Sequence, residues 1–143
     1  MARVPIIKNS YTYALPLPDN ITAGVQVNFS TLPDNIAAAT IYGMIIITGT
    51  RGITPQGVTG NVALIFSELA SFSMTLVKDD QTALQLLCSD LGDNITNGAG
   101  TNLWVRPPRL IKPQKIDFTK SYVTCHSPLA TSTAVMLIQF YYE

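Results

Sequence analysis

Apolar and polar residues alternate with a period of two along most of this chain. Tyr11, Tyr13, Leu15 and Leu17 are separated by Thr12, Ala14 and Pro16, and Val25, Val27 and Phe29 by Gln26 and Asn28. Neighbouring side chains of a strand point to opposite faces, so each run predicts a half-buried strand. The same reading, weighted by β-branched and aromatic content, predicts strands over residues 39–48, 62–66, 72–76, 82–89, 102–106, 118–125 and 130–142. No segment holds a 3.6-residue period for long. The pattern predicts an all-β antiparallel β-sandwich.

Turn chemistry separates these runs. The pentapeptide LPDNI occurs twice, at Leu17–Ile21 and Leu32–Ile36. Proline fixes φ, while Asp and Asn bond to their own backbone, so each copy reads as a corner between strands. Asp34 could cap a short helix after the second copy, but residues 39–48 return to strand character. Residues 49–61 and 90–100 are rich in Gly, Asn and Asp and read as long loops, and Lys78-Asp79-Asp80-Gln81 as a tight turn. The Asn-x-Ser/Thr sequons at Asn20, Asn28 and Asn94 read as turns too.

With 143 residues the chain forms one domain, residues 1–143. Charge changes the picture more than length does. Only 13% of residues are charged, while 47% are hydrophobic, against roughly 25% charged in a typical domain. Interface cores are depleted in charge, so such a surface points to coverage by other subunits. Nine basic and nine acidic residues cancel, which leaves no global field to draw in nucleic acid or an anionic membrane. No apolar run approaches the ~20 residues of a membrane span, and no signal-peptide core is present, so residence in cytosol is the expectation.

Catalytic and metal chemistry find little material. His126 is the single histidine and follows Cys125, a neighbour that a strand turns to the opposite face, so no Cys-His nucleophile forms. Cys88 and Cys125 sit in apolar alternation and read as buried free thiols, a disulfide being the other form open to them. Two Cys and one His are too few for a zinc site. The Asp90, Asp93, Asn94 loop lacks the spacing of a calcium loop, and no phosphate loop occurs. Neither an enzyme nor a cofactor is expected.

The one charge cluster is Arg106-Pro107-Pro108-Arg109-Leu110-Ile111-Lys112-Pro113-Gln114-Lys115, with Trp104 just before it. Three prolines keep it extended, so it reads as a stiff surface arm. The basic residues Arg106, Arg109, Lys112 and Lys115, and the acids Asp79, Asp80, Asp90 and Asp93 elsewhere, are candidates for contacts between subunits. Trp104 is a candidate stacking platform for a ligand.

An all-β, charge-poor chain with long Gly/Asn loops and a basic extended segment resembles the single jelly-roll capsid subunits of tailless icosahedral viruses, including penton and small capsid proteins of membrane-containing phages. The likeness lies in pattern over most of the chain. It implies an eight-stranded single jelly roll and a structural subunit of the virion, assembled in the host cytoplasm as a homo-oligomer with other shell proteins. It implies no sequence-specific nucleic acid and no transmembrane segment, and it is compatible with contact to an internal membrane. The alternative from another class is a carbohydrate- or receptor-binding sandwich of a phage fibre or tail.

Overall fold

Valine, isoleucine, threonine and aromatic side chains pack best on a half-buried pleated surface, and the segments rich in them are the strands of the fold. The computed structural model describes residues 9–30, 32–48, 62–64, 66–92, 108–130 and 134–143. Among these lie β1 (Asn9–Pro16), β2 (Gln26–Asn28), β3 (Thr40–Ile47), β4 (Val62–Ala63), β5 (Phe72–Lys78), β6 (Gln81–Leu87), β7 (Arg109–Lys115), β8 (Tyr122–Cys125) and β9 (Ala134–Tyr142). Helical structure among the described residues is limited to one turn, α1 (Asp34–Ala37), and the 3-10 segments Phe66–Ser71 and Cys88–Asp90.

Two sheets result. The first runs β1-β9-β3-β7, all antiparallel, with β4 added in parallel against the start of β9. The second runs β2-β8-β5-β6, also antiparallel. With the two-residue β4 set aside, the strands in chain order stand 1-8-3-6 in one sheet and 2-7-4-5 in the other. That is the interleaved double Greek key of a jelly roll, in which chain neighbours such as β1 and β2 belong to different sheets.

The registers define two ends. β1, β3 and β6 finish at one end, where β5, β7 and β9 begin; Leu17 donates to the Ala134 carbonyl there (2.9 Å) and Ile46 to that of Leu91 (2.8 Å). At the other end lie α1, the β5–β6 turn and the β7–β8 connection, where Asp117 donates to the Val77 carbonyl (2.8 Å). Between the sheets, Leu15, Ile46, Met74, Leu76, Val123 and Ile138 belong to one buried cluster. Its most specific part is aromatic. Phe29 lies 5.5 Å from Tyr13, 6.0 Å from Phe118 and 6.4 Å from Phe140, and Phe118 lies 5.1 Å from Phe140, most of these pairs edge to face. Rings from β1 and β9 thereby meet rings carried by segments that flank β2 and β8.

The two LPDNI copies close corners in different ways. In the first, Asn20 adopts a left-handed φ of 51° within a turn; in the second, Asp34–Ala37 winds into α1 with Pro33 at its N-terminal boundary. Both copies bury their Leu and Ile, so the shared feature is an apolar pair anchored on either side of a polar corner.

Several expectations need correction: Asn28, read as a turn, is the last residue of β2, and Pro33 rather than Asp34 holds the N-cap position of α1. Of the described residues in 62–66, Val62 and Ala63 are strand, Leu64 is not, and Phe66 opens the 3-10 segment. The strand expected over 118–125 begins at Tyr122, because Asp117 caps a turn with Thr119 instead. The basic segment is no free arm: Arg109–Lys115 pairs with β3 as the outermost strand of the first sheet. Proline is tolerated on an edge because its missing N–H faces outward, which the arm reading overlooked. The pairing is close at Gly43, where a Cβ would sit 3.3 Å from the Arg109 carbonyl oxygen. The loop 49–61 and the strand 102–106 lie outside the described residues.

Phe140→Ala should lower the unfolding free energy by ~3–5 kcal/mol, because it removes a fully buried ring from the inter-sheet cluster. Leu110→Ala, at a side chain 67% exposed, should change it by no more than about 0.5 kcal/mol. Urea unfolding followed by circular dichroism compares the two.

Candidate functional site

The β5–β6 turn is built by Asp79 and Asp80, both in the left-handed region with φ of 53° and 62°. Short polar side chains that bond locally tolerate this geometry, and two such residues in succession give the twist a tight hairpin needs. The turn projects two carboxylates at the α1 end of the sandwich. Beside it, the β7–β8 connection folds on Asp117, whose carboxylate accepts from the Thr119 N–H (3.1 Å) and the Thr119 hydroxyl (2.5 Å). Ser121 locks this connection to β5: its hydroxyl donates to the Asp117 carbonyl (2.8 Å) and accepts from the Val77 N–H (3.0 Å).

These elements and α1 enclose an open cleft of about 600 Å³. Leu32, Ile116 and Phe118, all buried, line it, so one ring of the aromatic cluster, Phe118, reaches its apolar floor. Its rim is ionic. Asp34, Lys78, Asp79, Asp80, Lys115, Asp117 and Lys120 line it, seven of the eighteen charged residues in the chain. Lys120 forms an ion pair with Asp80, and both side chains are exposed, so the pair orients the rim more than it stabilises the fold.

The rim charges are tuned by short-range bonds. The Thr119 hydroxyl bond holds the Asp117 carboxyl below the usual carboxylate range, helped by the Thr119 N–H and by Lys120. A depressed acid favours the fold above its ordinary value, and that contribution is lost as pH falls through the lowered one. The Asp80 carboxylate raises the Lys120 ammonium. Among the described residues no group of three or more His, Cys, Asp or Glu is placed to hold a metal ion. An apolar floor under a rim of both signs suits contact with a partner surface of mixed charge, in which polar groups set register.

The proposed interface residues are divided by the fold. Lys115, Asp79 and Asp80 line this one cleft, where Asp80 pairs with Lys120 of the same subunit. Arg109 and Lys112 lie exposed on β7, with Arg109 at the opposite end, and Asp90 closes the 3-10 segment after β6. Arg106, Asp93 and Trp104 lie outside the described residues. In the sequence Asp34 reads only as a helix cap and Lys78 only as part of a turn, and neither Asp117 nor Lys120 stands out. Only the Asp117-x-Thr119 spacing, a local Asx turn, carries a readable signal for them.

The second sheet presents a different surface. Ser73 stands in register between Leu87 and Thr124, with Gln26 beyond, and Thr75 between Gln85 and Tyr122, with Asn28 beyond. Met74 and Leu76 face the core, so these rows form the outer face, and it carries no charged residue. The Thr75 hydroxyl is buried there with no hydrogen-bond partner among the described residues. His126 adjoins this face, its Nε2 2.7 Å from the Ser73 hydroxyl, while its neighbour Cys125 turns into the core as strand alternation requires.

Both cysteines are free and buried. Burial pushes the Cys88 thiol up to about 12 and raises that of Cys125 as well. Comparison with protein family models, with curated proteins and with solved structures finds no match to this chain.

Ser121→Ala should cost about 1–3 kcal/mol in urea unfolding, since it strands the buried Val77 N–H. Ellman's reagent should find no fast thiol in the native protein and two after denaturation. A raised thiol stays neutral in the fold while the unfolded chain ionises, so stability should fall as pH rises from 9 toward 12. The stability gap between wild type and Cys88→Ala should accordingly narrow across that window.

Proposed function

We propose that this chain is a structural subunit of a protein shell, a viral capsid protein of penton or related type that assembles through lateral subunit contacts. The observation that carries the reading is the strand order, 1-8-3-6 against 2-7-4-5, the architecture that viral capsid domains share with lectins and cupins. The link from fold to role is analogy, so it needs support from the surface. Charge supplies that support. A chain with 13% charged residues gathers seven of its eighteen charges around one cleft, and among the described residues the outer face of the second sheet carries none. Large uncharged areas with a local ionic rim fit a protein that is covered by copies of itself. Cupin chemistry would need several histidine ligands, and the chain has one histidine.

The uncharged face supports a second reading as well. Amides of Gln26, Asn28 and Gln85 with the hydroxyls of Thr124 and Tyr122 could hydrogen-bond a sugar, which would make the chain a glycan-binding module of a fibre or tail.

Light scattering and sedimentation of the purified chain separate the two. The shell reading expects closed oligomers or larger particles at high micromolar concentration. A strict monomer that binds immobilised glycans on a screening array would overturn it in favour of the second reading.

A further inference from the structure

Four acids and three bases line the cleft at the α1 end, yet few of them are engaged. Lys120 pairs with Asp80, and the Asp117 carboxylate accepts twice from Thr119. Asp34, Asp79, Lys78 and Lys115 remain, two acids and two bases that make no ion pair or side-chain hydrogen bond among the described residues. Opposite charges that face one cavity without touching leave room between them. The walls around that room are tied together: Ser121 bonds the β7–β8 connection to Val77 of β5 at 3.0 Å, and the Lys120–Asp80 pair bonds it to the β5–β6 turn. A cleft of about 600 Å³ over a buried apolar floor has the size and lining of a small-molecule site.

Charge decides what fits there. A metal ion is not served, because among the described residues no three carboxylates are placed to hold one. A simple anion meets four carboxylates, and a simple cation meets three ammonium groups. A neutral apolar molecule would strip water from the free charges and give them no partner in return. A ligand that carries both signs on an apolar body satisfies every one of these constraints. We propose that the cleft binds a small zwitterion of this kind, in the class of free amino acids with an aliphatic or aromatic side chain. Its carboxylate meets Lys78 or Lys115, its ammonium meets Asp34 or Asp79, and its side chain lies over Leu32, Ile116 and Phe118. The site goes beyond the shell reading and stands or falls without it.

The test is titration of the full chain followed by amide resonances in nuclear magnetic resonance. The probes are phenylalanine, and phenethylamine, phenylpropionate and glycine, which lack the carboxylate, the ammonium and the apolar body in turn. Phenylalanine should shift the amides of residues 78–80 and 115–120 saturably and bind roughly tenfold more tightly than each of the other three. Two double variants assign the charges: Asp34→Asn with Asp79→Asn, and Lys78→Gln with Lys115→Gln. All four side chains are exposed and Asn tolerates the left-handed turn, so the fold should persist, as circular dichroism checks. The first variant should weaken phenylalanine and spare phenylpropionate; the second should weaken phenylalanine and spare phenethylamine. Phenethylamine or phenylpropionate binding as tightly as phenylalanine, shifts indifferent to both variants, or no saturable shift up to the solubility of phenylalanine would overturn the site. Amides of the cleft that respond to protein concentration and not to phenylalanine would also overturn it, and would make the cleft a contact between subunits.

Discussion

The contact on which this fold turns is the meeting of four aromatic rings between the sheets. Tyr13 and Phe140 arrive from neighbouring strands of the first sheet, Phe29 from the chain leaving β2 and Phe118 from the chain approaching β8. Because a jelly roll places chain neighbours in different sheets, most of its stabilising contacts join residues far apart in sequence. Edge-to-face rings add a directional preference to the area they bury, so the cluster sets how the sheets align as well as holding them together. One of these rings, Phe118, also lines the charged cleft, and so couples core packing to the geometry of the rim. Ser121 reinforces that coupling by tying the Phe118 segment to the end of β5.

Topology also sorts the charge. The turns joining β5 to β6 and β7 to β8, and the turn of α1, must fall at one end of the sandwich, and they carry most of the ionic groups around the cleft. Apart from β7, which carries Arg109, Lys112 and Lys115, the strand faces between the ends present amides, hydroxyls and apolar groups. Such a distribution opposes long-range attraction to any polyelectrolyte and favours short-range, shape-dependent contact. It suits a molecule whose partners are similar molecules at high local concentration.

Much of the fold was legible in the sequence because strand alternation is a local signal. Tyr11 to Leu17 and Phe72 to Leu76 show it directly, and the Asp79-Asp80 turn is announced by its own chemistry. The misreadings have physical causes. Residues 62–66 are apolar enough for a strand, but the 3-10 segment that begins at Phe66 takes their end. Pro113 argues against a central strand and is silent about an edge, so β7 read as an arm. The cleft was invisible beforehand because Asp34, Lys78 and Lys120 come together only through closure of the double Greek key, and no local pattern encodes that.

The most direct test of the architecture is nuclear Overhauser contact between assigned aromatic rings. The jelly roll predicts contacts from the Phe118 ring to both Phe29 and Phe140, from Tyr13 to Phe29, and backbone contacts pairing β1 with β9. Backbone contacts pairing β1 with β2 in a single hairpin, with the Phe118 ring remote from Phe140, would contradict it.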